Sequence, residues 1–262
     1  MIKKKATEII NRWRNVRLSK TGQKLVAVVF VSLLFVGVFI IIKQSTQKVY
    51  SAQDFGYVVL KSEMDFNQNG IDDYKDFLIG AQKDAQKKPV YDDRYVNDNL
   101  GYPDEDKGVC TDVIWRAFRE AGYSLRDMVD ADIRANLPVY ARVVETRDPY
   151  IDFRRVGVLK IFFDRFAEKL SVIVTNDPGQ FQAGDIVIYG SDFHHIGIVS
   201  DKRNEQGIPY LIHNAGQDKR EEDALLKFGA ITAHYRFNAR LIAEDKLLEF
   251  QEPETQGHNP ND

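Results

Sequence analysis

The chain has 262 residues, 29% of them charged, with a net charge of −3 and a single cysteine. That length holds one sizeable domain plus an appendage, and the composition is that of a globular protein without repeats or long low-complexity tracts. Residues 1–24 carry eight Lys or Arg and one Glu, or +7, so the rest of the chain carries −10. That acidity argues against nucleic acid as a partner, because phosphates demand a basic surface.

Taken in chain order, residues 1–24 read as a basic cytoplasmic segment. Residues 25–42, LVAVVFVSLLFVGVFIII, contain no charge. At ~1.5 Å per residue this run nearly crosses a hydrocarbon core of ~30 Å, so it reads as an uncleaved transmembrane anchor. The basic residues ahead of it keep that end inside, which puts the main domain outside the cytoplasmic membrane in a single-pass topology. A cleaved signal peptide competes, but no A-x-A site follows Ile42. Residues 43–53 are polar and read as a stalk.

Residues 54–80 hold a candidate calcium loop and the start of a helix over 74–88. In 65-DFNQNGIDDYKD-76, Asp65, Asn67 and Asn69 occupy positions 1, 3 and 5 of a calcium loop. Gly70 stands at the turn, Ile71 offers its carbonyl at position 7, and Asp76 stands at 12. An Asx-rich turn without metal is the competing reading. Residues 91–107 are rich in Asp, Asn, Gly and Pro and read as irregular.

The pattern of Cys110, Val113, Ile114, Ala117, Phe118 and Ala121 predicts a helix over 110–121, stopped by Gly122. Asp112, Arg116, Arg119 and Glu120 are expected on its outer face. Ser124 reads as the cap of a second helix over 125–136, and a third is expected over 156–170. Four short strands follow, at 186–189, 196–200, 210–213 and 233–237. Helices first and strands afterwards predict an α+β domain with a small antiparallel sheet, over residues 81–243. Residues 244–262 read as a flexible tail.

A lone cysteine outside the cytoplasm forms no internal disulfide. At a helix start its thiolate is favoured, and it needs a histidine as base. His194 and His195 point to opposite faces of one strand. His195 shares its face with Gly197, which suggests open space, whereas the Ile196 and Ile198 face reads as core. His213 on the next strand is the expected orienting partner, with Asn214 as the alternative and His234 more distant. A buried, inert cysteine is the competing reading. A zinc site from Cys110, His195 and His213 is a weaker one, lacking the usual close ligand spacing.

The segments 184-GDIVIYGSDFHHIGIVSD-201 and 211-LIHNAG-216 resemble the NlpC-type papain-like cell-wall cysteine peptidases. More closely, GVCTDVIWRAFREAG, DPYIDFRRV, HIGIVSD, IHNAG and EEDALL resemble the bacterial domain-of-unknown-function family 1287, over roughly Gly80 to Phe237. The resemblance implies Cys110 as nucleophile, His195 as base, His213 as orienting residue and Tyr102 near the site. Thr111 and Asp112 depart from the Ser-Gly that usually follows the peptidase cysteine. In the family loop 148-DPYIDFRR-155, the residues Asp152, Arg154 and Arg155 are candidates for binding a substrate carboxylate, or for capping the next helix. The expected function is an anchored cysteine hydrolase, a peptidase or amidase acting on peptidoglycan stem peptides or a related amide, with no catalytic cofactor. An acyltransferase using the same cysteine, and a non-catalytic calcium-dependent wall-binding module, are the alternatives.

Overall fold

A computed structural model describes residues 19–22, 28–33, 48–96 and 99–252. Residues up to Lys48 form one compact unit and those from Val49 a second. Of the expected anchor at 25–42, only residues 28–33 are described, and these are helical. The rest of it lies outside the described residues, as do most of the basic segment and residues 43–47. Among the described residues, no helix is long and apolar enough to cross a membrane.

The second unit is mixed helix and sheet. Its helices are α1 (Asp73–Lys87), α2 (Cys110–Glu120), α3 (Leu125–Tyr140) and α4 (Val156–Phe166). Its strands are β1 (Val90–Tyr91), β2 (Lys107–Gly108), β3 (Glu168–Lys169), β4 (Ile186–Tyr189), β5 (His195–Arg203), β6 (Pro209–Ile212), β7 (Glu221–Glu222) and β8 (Ile231–Arg236). Six strands form one antiparallel sheet in the order β3-β8-β4-β5-β6-β7. The short β1 and β2 pair in parallel beside it.

Helix α2 is the centre of the core. Its apolar stripe is buried as the spacing predicts. Asp112 and Arg116, expected on the outer face, are buried as well. Each has an opposite charge from elsewhere in the chain: Arg116 lies 2.6 Å from Asp84 on α1, and Asp112 2.8 Å from Arg154. Ser124 caps α3 by accepting the Asp127 amide. That helix runs to Tyr140 through a kink at Asn136, four residues past its expected end. By contrast α4 stops at Phe166 rather than at 170, because Glu168 and Lys169 leave it to pair with β8.

Helix α1 crosses α2 at Gly80. A Cβ there would lie 2.7 Å from Glu120 Cβ and 2.8 Å from the Ala117 Cα. Glycine inside a helix normally costs about 1 kcal/mol relative to alanine. At this crossing the clash with backbone outweighs that gain, since overpacking costs about 1–3 kcal/mol. Gly80→Ala is therefore expected to lower stability, read as a lower denaturant midpoint. An unchanged or raised midpoint would show that the crossing yields.

The segment boundaries differ from expectation. Tyr50, expected in a stalk over 43–53, pairs with Arg203 on β5, its amide donating to the Arg203 carbonyl at 3.0 Å. Residues 54–80 share one core with residues 81–243, through Phe77 and Leu78 of α1. Residues 244–250, expected as flexible, pack back: Phe250 donates its amide to Gly122, and Leu248 accepts from Ser124. Leu247, Leu248 and Phe250 supply the apolar contacts that hold this segment down. Residues 253–262 lie outside the described residues.

Candidate functional site

Cys110 is the first residue of α2 and is 8% exposed. The amides of Ile196, Thr111 and Cys110 itself face the sulfur and favour its thiolate. Burial outweighs them, and the Asp112 carboxylate adds to it, so the thiol is pushed up to about 11. The helix start therefore does not by itself make Cys110 a thiolate, as the sequence suggested. It sits in too apolar a place.

The start of α2 is fixed by a buried polar cluster. Asp112 accepts from the Val109 amide at 2.7 Å and from Trp115 Nε1 at 2.8 Å. Arg154 grips the same carboxylate with two bonds, Nε to Oδ1 at 2.8 Å and a terminal nitrogen to Oδ2 at 3.0 Å. Thr111 Oγ1 donates to the Arg154 carbonyl at 3.0 Å. These contacts explain why Thr111 and Asp112 stand after the cysteine. They also remove Arg154 from the candidates for substrate binding. Asp152 accepts from the Asp148 amide and pairs with Arg155 at 3.0 Å, ahead of α4. Arg155 keeps an exposed side chain.

His195 and His213 do meet. Nε2 of His195 lies 3.0 Å from Nδ1 of His213, with the rings nearly perpendicular. Antiparallel pairing of β5 with β6 brings them together. Phe228 stacks on His195 with centroids 4.5 Å apart and meets His213 edge-on at 4.7 Å. Behind His213, its Nε2 lies 3.3 Å from the Glu222 carboxylate on β7. The Gln217 amide lies 2.9 Å from the same nitrogen. The Gln217 nitrogen can only donate and a carboxylate can only accept, so the partner that His213 Nε2 takes sets the tautomer. Turned to Glu222 it carries the proton, His213 Nδ1 accepts from His195 Nε2, and Nδ1 of His195 is left as a free base; turned to Gln217 the pair is reversed.

Desolvation keeps both rings neutral: His195 is lowered to about 4, with His194 adding to it, and His213 to about 3, with His195 and Arg220 adding. In the unfolded chain both titrate near 6.5. Below that pH the unfolded state binds protons that the folded state refuses, so stability is full above about 6.5 and falls as the pH drops toward 4. A melting temperature that declines between pH 7 and 5 in the wild type, and less steeply in His195→Gln, is the expected result. Parallel curves would show that His195 is not held neutral.

Cys110 packs in the cluster of Ile196 and Ile198, whereas Phe228, against which both histidines lie, packs with Tyr189, Val199 and Leu211. Among the described residues, no hydrogen bond joins the sulfur to either imidazole. The expected opening at Gly197 is absent, because Leu211 Cδ1 would lie 2.7 Å from a Cβ there. Nor do Cys110, His195 and His213 form a zinc centre: among the described residues, no group of three or more His, Cys, Asp or Glu converges as a metal site.

The remaining candidates have other partners. Asn214 donates to the Gly108 carbonyl at 3.0 Å and so ties β6 to the approach of α2. His234 bonds Asp185 and stacks flat on Phe181, away from the other pair. Tyr102 packs between Trp115 and Phe153. The tyrosine within electrostatic reach of Cys110 is Tyr91, which the sequence did not single out; burial first, and then Cys110, raises its hydroxyl. Glu222 was missed as well, although its strand belongs to the EEDALL segment. In the loop at 65, the Asp65, Asn67 and Asn69 side chains fold over loop amides, including the Ile71 amide, and Asp76 accepts from both asparagines.

A curated Escherichia coli (strain K12) relative, "Uncharacterized protein YijF", is 36% identical over 166 residues, covering 60% of this chain and 78% of the relative. No solved structure matches the chain. The model of the family described as "Domain of unknown function (DUF1287)" matches residues 78–237, a span from α1 through β8 that includes Cys110, His195, His213 and Glu222, and the chain belongs to that family.

Proposed function

We propose that the protein is a cysteine hydrolase of the papain-like NlpC type, a peptidase or amidase held at the outer face of a bacterial membrane by residues 25–42. The observation that carries this reading is the contact of His195 with His213, beside Ile196, whose amide faces the Cys110 sulfur. The order of cysteine at a helix start, histidine on one strand and histidine on the next supports it.

In the proposed reaction, Nδ1 of His195 takes the thiol proton as Sγ attacks the amide carbonyl carbon. The amides at the start of α2 hold the oxyanion. His195 then protonates the leaving amine as the C–N bond breaks, and water, deprotonated by the same nitrogen, cleaves the thioester. Peptidoglycan stem peptides are the proposed substrate. Mass spectrometry of muropeptides incubated with the full-length protein tests this: new fragments support a hydrolase and identify the bond.

A second reading is a wall-binding module without catalysis. The raised thiol and the missing hydrogen bond between Cys110 and the histidines favour it. It predicts intact muropeptides that still bind, and a Cys110 that native labelling does not reach.

A further inference from the structure

The loop at 65–76 plays no part in the hydrolase reaction, and its chemistry is incomplete. Asp76 is 1% exposed, and its Oδ1 has no hydrogen-bond partner. Its other oxygen accepts the side-chain amides of Asn67 at 3.1 Å and Asn69 at 3.0 Å, so the carboxylate faces the loop. A buried carboxylate oxygen with no partner costs more than almost any other polar defect, and native structures rarely leave one.

The surroundings lack what would relieve it. Asp65, Asp72, Asp73 and Asp76 lie within twelve residues, and none of them makes an ion pair among the described residues. The side-chain oxygens of the loop accept its own backbone amides. Asp65 accepts the amides of Asn69 and Gly70, Asn67 accepts that of Asn69, and Asn69 accepts that of Ile71. Each asparagine oxygen uses one lone pair in this way and keeps the other. Two carboxylates, two amide oxygens and one backbone carbonyl are hard oxygen donors in a flexible loop. That set suits calcium rather than magnesium, which demands stricter geometry and keeps its water.

We propose that residues 65–76 bind one calcium ion through Asp65, Asn67, Asn69, the Ile71 carbonyl and Asp76. The ion neutralises the acidic loop and supplies the partner that Asp76 Oδ1 lacks. Its effect reaches α2. Asn67 donates to the Glu120 carbonyl at the end of that helix at 2.8 Å, and Phe66 stacks on Tyr123 with centroids 4.1 Å apart. Calcium therefore fastens the loop, α1 and the far end of the helix that starts at Cys110.

The test is calorimetry on the full-length protein, stripped with EDTA and titrated with calcium chloride, with magnesium chloride as the comparison. One site with Kd near ~10⁻⁴–10⁻³ M is expected. At ten times that Kd the melting temperature rises by about 3–5 °C. Asp65→Asn, at a half-buried position, keeps the fold and loses both responses. No calcium heat from the wild type up to about 10 mM, ten times the weakest such sites, overturns the proposal. So does an equal response to magnesium, or an Asp65→Asn variant that binds as the wild type does.

Discussion

Cys110→Ala is expected to lower amide hydrolysis by at least about 10³-fold, with a melting temperature within a few degrees of wild type. Loss of one small buried sulfur removes little packing, whereas loss of the nucleophile removes the reaction. His195→Ala should match it, and the double variant should be no worse than either alone, because residues that act as one unit are not additive. The pH profile carries more information. A thiol near 11 and an imidazole near 4 both rest uncharged at pH 7, so the pair is not a standing ion pair. The proton moves only as substrate is attacked. His195 must be unprotonated to accept it, so kcat/KM should hold across neutral pH and fall as the pH drops through about 4. Alkylation by iodoacetamide at pH 7 should be slow for the same reason. A Cys110→Ala variant with full activity would remove the cysteine from the mechanism and leave the histidine pair needing another nucleophile.

The elements were legible because their patterns are local. The stripe from Cys110 to Ala121 is helical by spacing alone, and β4 at 186–189 follows from a short apolar run between turn residues. The meeting of His195 and His213 was legible too, since it needs only two neighbouring antiparallel strands. What escaped was non-local. Asp112 and Arg116 read as solvent-facing because nothing in their own helix neutralises them. Their partners, Arg154 and Asp84, lie 42 and 32 residues away. Gly197 read as an opening because the sequence does not say that Leu211 will fill it. The thiol read as activated because a helix start is a local feature and burial is not. Glu222 comes from a strand of two residues, too short to carry a periodic signal.

The second large effect follows from that buried cluster. Arg154→Ala is expected to lower stability by about 3–5 kcal/mol, the cost of stripping one partner from a buried pair. Asp112 is fully buried, and without the guanidinium its charge would rest on the Val109 amide and the Trp115 ring N–H alone. Arg154→Lys should recover only part of the loss, because a point charge cannot make the two parallel bonds that Arg154 makes to Oδ1 and Oδ2. Pairing Arg154→Met with Asp112→Asn should recover more, since the charge that needed a partner is then gone while an acceptor for the Val109 amide remains. Urea unfolding of the four proteins separates these cases. A loss below about 1 kcal/mol for Arg154→Ala, the level of an exposed pair, would mean that water reaches Asp112. In that event the start of α2 is not the rigid mount for Cys110 that the buried geometry implies, and the cysteine would owe its position to the apolar stripe alone.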